Sequence, residues 1–115
     1  MTIIATYYDK SDKEFEIQKN DDCNGTHLQG YINVSYSSLV SAFGNPQYLA
    51  SGNDKVQCEW NLLINGEVVT IYDWKEGGKP VQNISEWHIG GYSKKAEKAV
   101  LGAFQAWRNS HAKSH

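Results

Sequence analysis

Lys55-Val56-Gln57-Cys58-Glu59-Trp60-Asn61-Leu62-Leu63-Ile64-Asn65-Gly66-Glu67-Val68-Val69-Thr70-Ile71-Tyr72-Asp73-Trp74 is the stretch that decides the fold. Asn65-Gly66 is a dipeptide favoured in type I′ turns, where both central residues need positive φ. Strand-like runs flank it, so a hairpin is expected from Lys55 to Ile64 and from Glu67 to Trp74. A two-residue loop sets the register. Ile64 opposes Glu67, Leu62 opposes Val69, Trp60 opposes Ile71 and Cys58 opposes Asp73. On the reverse face Leu63 meets Val68, Asn61 meets Thr70, Glu59 meets Tyr72 and Gln57 meets Trp74. Successive side chains point to opposite faces of a strand. The Trp60/Leu62/Val69/Ile71 face is therefore expected in the core, and the other face turns polar and aromatic away from the turn.

Towards the N-terminus, Thr2 to Tyr8 and Glu14 to Lys19 read as two short strands joined by the polar turn Asp9 to Lys13. Asn20 to Gly30 reads as a loop. Tyr36, Leu39, Val40 and Phe43 share one helical face, with Ser35 as N-cap and Gly44 followed by Asn45-Pro46 as the stop. Beyond the hairpin, Lys75 to Pro80 forms a loop, and a strand from Ile84 to Ile89 ends at Gly90-Gly91. From Ser93 to Asn109 the residues Ala96, Ala99, Val100, Ala103, Phe104 and Trp107 form an apolar stripe. Residues 110–115 lack that periodicity and are expected to fray. The pattern predicts one α+β domain over residues 1–109: a small antiparallel sheet with a short helix and one long C-terminal helix packed on one face.

The 115 residues carry 11 Lys+Arg and 13 Asp+Glu, a formal charge of -2. That balance argues against electrostatic binding to a nucleic-acid backbone and against mimicry of DNA by charge. No apolar run approaches the roughly 20 residues that span a bilayer, and the opening residues do not read as a signal peptide. A cytoplasmic protein is the expectation. Cys58 reads as a small buried residue and Cys23 as an exposed loop thiol, a setting in which a disulfide between them is disfavoured.

Four Trp and seven Tyr are the excess in the composition. Trp60 and Trp107 lie on apolar faces and read as core. Tyr72 and Trp74 share a face with Glu59 and Gln57, and such a face is solvated, covered by a partner, or the floor of a ligand site. Trp87 is a third candidate stacking plane. Glu86 and His88 fall on one side of their strand. Gly90-Gly91 before a helix, with Lys94 or Lys95 nearby, suggests an anion cradle, although a plain strand-to-helix turn also uses glycine. Catalysis has weaker support: the four His are scattered and no hydrolase, phosphate-loop or metal motif is present. Asp73 is a possible second carboxylate for His88, and the pair could in principle do acid–base work. No metal and no cofactor are expected.

Phe43-Gly44-Asn45-Pro46, Lys55-Val56-Gln57-Cys58-Glu59-Trp60, Ile71-Tyr72-Asp73-Trp74-Lys75 and Trp87-His88-Ile89-Gly90-Gly91 together resemble a family of small proteins encoded by bacteriophages and large DNA viruses. The resemblance runs from Val34 to Val100. The family carries no established activity, and what the resemblance implies is a setting, the countering of host defences. The expectation is a non-enzymatic counter-defence protein of the host cytoplasm that sequesters a small anionic, nucleotide-like signalling ligand. Tyr72, Trp74 or Trp87 would stack on a base, Glu59 would read a polar edge, and His88, Gly90, Gly91 and Lys94 or Lys95 would hold phosphate or ribose. So small a chain encloses a ligand poorly, so a homodimer or larger assembly is expected. Two other classes stay open: a protein-binding inhibitor of a host defence nuclease or CRISPR effector, and a small hydrolase using His88.

Overall fold

Asn65 and Gly66 both have positive φ, 52° and 81°, and the hairpin closes in the register its sequence requires. In the computed structural model, residues 3–21, 24–49, 56, 58–74 and 79–113 are described. Their elements in chain order are β1 (Ile3–Tyr8), β2 (Glu14–Lys19), β3 (His27–Ile32), α1 (Tyr36–Phe43), β4 (Tyr48–Leu49), β5 (Cys58–Ile64), β6 (Glu67–Tyr72), a 3-10 turn (Val81–Asn83), β7 (Trp87–Gly91) and α2 (Lys95–Lys113). Every strand pair is antiparallel and the sheet order is β1-β2-β5-β6-β7-β3, with β4 added to β5. Both helices pack on one face, which makes the fold α+β. No helix among the described residues is long and apolar enough to cross a membrane.

The core face of the hairpin is Trp60, Leu62, Ile64, Val69 and Ile71, all fully buried. Ile17 from β2 and Ile89 from β7 extend it sideways, and Ala96, Val100, Ala103 and Phe104 of α2 cover it. Trp60 and Trp87 meet edge to face, with ring centroids 5.4 Å apart. Each indole also clamps one end of α1: Trp87 Nε1 donates to the Val34 carbonyl at 2.9 Å, and Trp60 Nε1 to the Gly44 carbonyl at 2.8 Å. Between those clamps Ser35 caps the helix through Ser38 N–H, and Gly44 N–H closes it on Val40.

One edge of β5 is shared. β2 pairs with its Leu62–Ile64 end and β4 with Cys58 and Glu59. The gap at Asn61 is filled by a side chain, because the Gln47 amide accepts from Asn61 N–H at 3.1 Å and donates to Asn61 C=O at 2.5 Å. A primary amide has the same donor and acceptor as a peptide group, so Gln47 stands in for a missing strand residue. The turn residue Asn65 extends the β2 contact in the same manner, accepting from Glu16 N–H at 2.8 Å and donating to Glu14 C=O at 2.9 Å.

Three sequence expectations change. Residues 27–32 form β3, where the sequence predicts a loop through Gly30; Gln29 is bulged out of the ladder, so the alternation that marks a strand is broken there. β7 starts at Trp87 and not at Ile84, which caps the 3-10 turn, and it takes in Gly90 and Gly91 as its last two residues. α2 begins at Lys95, with Ser93 Oγ accepting from Lys95 N–H at 3.2 Å, and continues past Asn109 to Lys113. Cys23, Lys55 and Gln57, and with them the question of a Cys23–Cys58 bond, lie outside the described residues. Cys58 itself is buried, and burial with the nearby Asp73 and Glu59 carboxylates pushes its thiol up to about 12. The reactive form is the thiolate, so this cysteine is inert near neutral pH.

Candidate functional site

The helices leave the second face of the sheet open. Strand register aligns Tyr48, Glu59, Tyr72, His88 and Tyr31 in one row across β4, β5, β6, β7 and β3. Two residues along, Asn61, Thr70, Gly90 and Leu28 form the next row. The first row is closely packed. His88 sits edge-on to Tyr31 at 4.9 Å between centroids, and lies 5.4 Å from Tyr72 and 6.5 Å from Trp74.

Beside these rings lies a concavity of about 510 Å³. Its floor is Glu59, Asn61, Thr70 and Gly90; Tyr72 and Trp74 line it, as does the 26–28 segment leading into β3. A Cβ at Gly90 would stand 2.4 Å from Thr70 Oγ1, so glycine keeps this part of the floor low. Burial pushes the Glu59 carboxyl up, and a hydrogen bond from Asn61 offsets part of that shift. Burial, then Glu59 and Tyr31, raise the Tyr72 phenol, which therefore keeps its proton and serves as an O–H donor. Asn61 Oδ1 is buried without a hydrogen-bond partner. The described lining residues include the carboxylates Asp21 and Glu59 and no lysine or arginine.

The structure brings together only part of the expected set. Glu59, Tyr72, Trp74 and Gly90 line the concavity, and His88 packs against Tyr72 and Trp74 from behind. Trp87 points to the opposite face, fully buried in the core, and offers no plane for stacking. Gly91 also faces the core, where a Cβ would lie 2.2 Å from Ala96 Cβ. Gly91 therefore lets α2 approach the sheet while Gly90 faces the concavity, so the two glycines lie on opposite faces of β7. Lys94 donates to the Gln29 carbonyl and lies 3.8 Å from Glu97, away from the concavity. Lys95 lines a separate, smaller groove with Lys13 and Lys98. Asp73 and His88 are on opposite faces of the sheet, because Tyr72 and His88 are cross-strand partners and Asp73 is the next residue. The Asp73 carboxylate is fully buried and accepts from Cys58 N–H at 2.9 Å. Glu59 is two strands from His88, a backbone separation of about 9–10 Å. Glu86 is exposed just before β7. Asn61 and Thr70 carry no signal of their own in the sequence, although the hairpin register puts them on this face. Among the described residues, no three His, Cys, Asp or Glu side chains are grouped to hold a metal ion. Comparison with protein-family models, curated proteins and solved structures gives no match.

The desolvated Glu59 has a consequence for stability. A carboxyl raised in the folded state takes up more protons there than in the unfolded chain, so stability falls as pH rises through that range. Glu59→Gln is therefore expected to melt at a higher temperature than the parent at pH 7. Thermal scans of the pair should converge as pH falls to about 3, below the ordinary glutamate range, where the carboxyl is largely neutral in both states.

Proposed function

We propose that this protein is a non-enzymatic viral counter-defence protein that sequesters a small nucleotide-like signalling ligand, held by its base in the open-face concavity. The observation that carries this reading is the juxtaposition of the Tyr72 and Trp74 rings with the polar floor of Glu59, Asn61 and Thr70. Rings supply stacking and the floor supplies edge recognition, and the volume is in the range of small-molecule sites. The viral setting comes from the four-motif resemblance. With no lysine or arginine on the described lining, the phosphates of such a ligand extend outward to solvent or to a second copy of the chain.

The test is mass spectrometry on protein purified from infected or signal-producing cells. Native spectra report the assembly mass, and the filtrate after denaturation reports any small molecule released. An intact nucleotide in stoichiometric amount supports sequestration, and an altered one favours a hydrolase. An empty filtrate, repeated after incubation with cyclic and ADP-ribose-type nucleotides, overturns the reading. Trp74 is 41% exposed, so Trp74→Ala should leave the fold intact. Loss of one stacked base contact is worth about 1–3 kcal/mol, so binding by this variant should weaken by about 5- to 150-fold.

A second reading is favoured by the rim of the same face, where Leu28, Tyr31 and Tyr48 are exposed. Tyrosine and tryptophan at the centre of a patch are hot-spot residues in protein interfaces. In that case the face docks on a host defence nuclease or CRISPR effector. Capture of one such protein, with no affinity for free nucleotides, would select it.

A further inference from the structure

Resting on the base-binding reading, we infer that the ligand presents a donor–donor edge, and that the base is guanine or a close analogue. The floor carries the Glu59 carboxylate, with the Asn61 amide and the Thr70 hydroxyl beside it. Glu59 is a half-buried carboxylate on that floor, and the described lining offers no lysine or arginine to pair with it. Among the described residues, the hydrogen bond that stabilises it comes from the Asn61 amide. Buried acceptors left without partners are costly, and hydrogen bonds to a carboxylate are the strong ones.

A ligand that matches such a floor brings its own N–H groups. Guanine carries N1–H beside N2–H2, two adjacent donors that fit the two oxygens of one carboxylate. Adenine carries an amine beside the bare N1 acceptor, and turning that acceptor towards Glu59 sets lone pair against lone pair. Cytosine has the same mismatch at N3. The remaining guanine group on this edge, O6, needs a donor. The Thr70 hydroxyl, cross-strand from Asn61 on the same floor, is one. Asp21 adds negative charge to the rim, which favours a ligand whose recognised edge is electropositive.

The experiment is equilibrium binding of guanosine, inosine, adenosine and cytidine to the full chain, by calorimetry or ligand-observed NMR. Guanosine is expected to bind most tightly. Inosine, which keeps N1–H and lacks the amine, should be weaker by about tenfold, and adenosine and cytidine weaker still. Glu59→Gln should lose about tenfold for guanosine and little for adenosine, so that the preference collapses. Trp74→Ala should weaken all four alike. Adenosine binding as tightly as guanosine, inosine matching guanosine, or a guanosine preference that survives Glu59→Gln would each overturn this inference while leaving base binding intact. No binding of any nucleoside overturns both. Tighter retention of an arginine amide, whose guanidinium offers the same donor pair, overturns the assignment to a base and points to the protein-docking alternative. If Glu59→Gln proves unfolded by circular dichroism, the order among the parent's four ligands decides alone.

Discussion

Trp87→Ala is expected to destabilise the protein by about 3–5 kcal/mol, a large part of the roughly 5–15 kcal/mol that holds a domain of this size folded. Three losses add. The indole is fully buried, so its removal opens a cavity between the sheet and α1. Its edge-to-face contact with Trp60 disappears, and so does the tilted contact with Tyr36. The Val34 carbonyl also loses its donor, which frees the N-terminal end of α1. In urea the midpoint should fall by roughly 2 M at an ordinary denaturant dependence. Trp87→Phe separates the contributions. It keeps an aromatic ring in the core and removes the indole N–H, so it should cost about 1–3 kcal/mol. A Trp87→Ala protein with an unchanged midpoint would contradict the placement of this residue in the core.

Gly91→Ala is the second large effect. The added Cβ would stand 2.2 Å from Ala96 Cβ and 3.1 Å from the Val68 carbonyl oxygen. Neither neighbour is the loose end of a flexible side chain, so α2 must lift from the sheet. Overpacking of this kind costs about 1–3 kcal/mol. The contact is testable by a double-mutant cycle with Ala96→Gly. That change alone costs about 1 kcal/mol as a helix glycine, yet it removes the atom that the new methyl group would strike. The pair should therefore be less destabilised than the sum of the two, by an interaction of about 0.5–3 kcal/mol. Strict additivity in denaturant melts would sink the argument. Gly90→Ala, one residue away, strikes only the Thr70 hydroxyl on the open face and should disturb the concavity more than the fold.

These two positions also mark where sequence reasoning runs out. The hairpin is legible because Asn65-Gly66 carries its own turn geometry, and with the register comes the polar face that holds Glu59, Asn61, Thr70 and Tyr72. The ends of α1 are legible because caps are local. The period-2 relation of Trp87 with Ile89 points to the core, but a Trp beside His88 also fits a ligand face, and periodicity over five residues decides weakly. β3 is not legible. It is an edge strand that pairs with β7 alone, interrupted by a bulge at Gln29, and its Gly30 lies against the Glu97 side chain of α2, a contact that sequence distance conceals. The concavity is hidden for the same reason. It needs the 26–28 segment beside the far end of the hairpin, and nothing local in either stretch announces the other.

The division of the tryptophans between the two faces has an optical consequence. Trp60 and Trp87 are dry, hydrogen-bonded and in contact with each other, while Trp74 is exposed beside the concavity. Buried indoles emit at shorter wavelengths than hydrated ones, so the intrinsic fluorescence of this chain contains a component that reports whether α1 is docked and another that reports what occupies the open face, beside the contribution of the half-buried Trp107 on α2. The protein thus carries an internal readout in which occupancy and integrity of the fold appear at different colours, with no label attached.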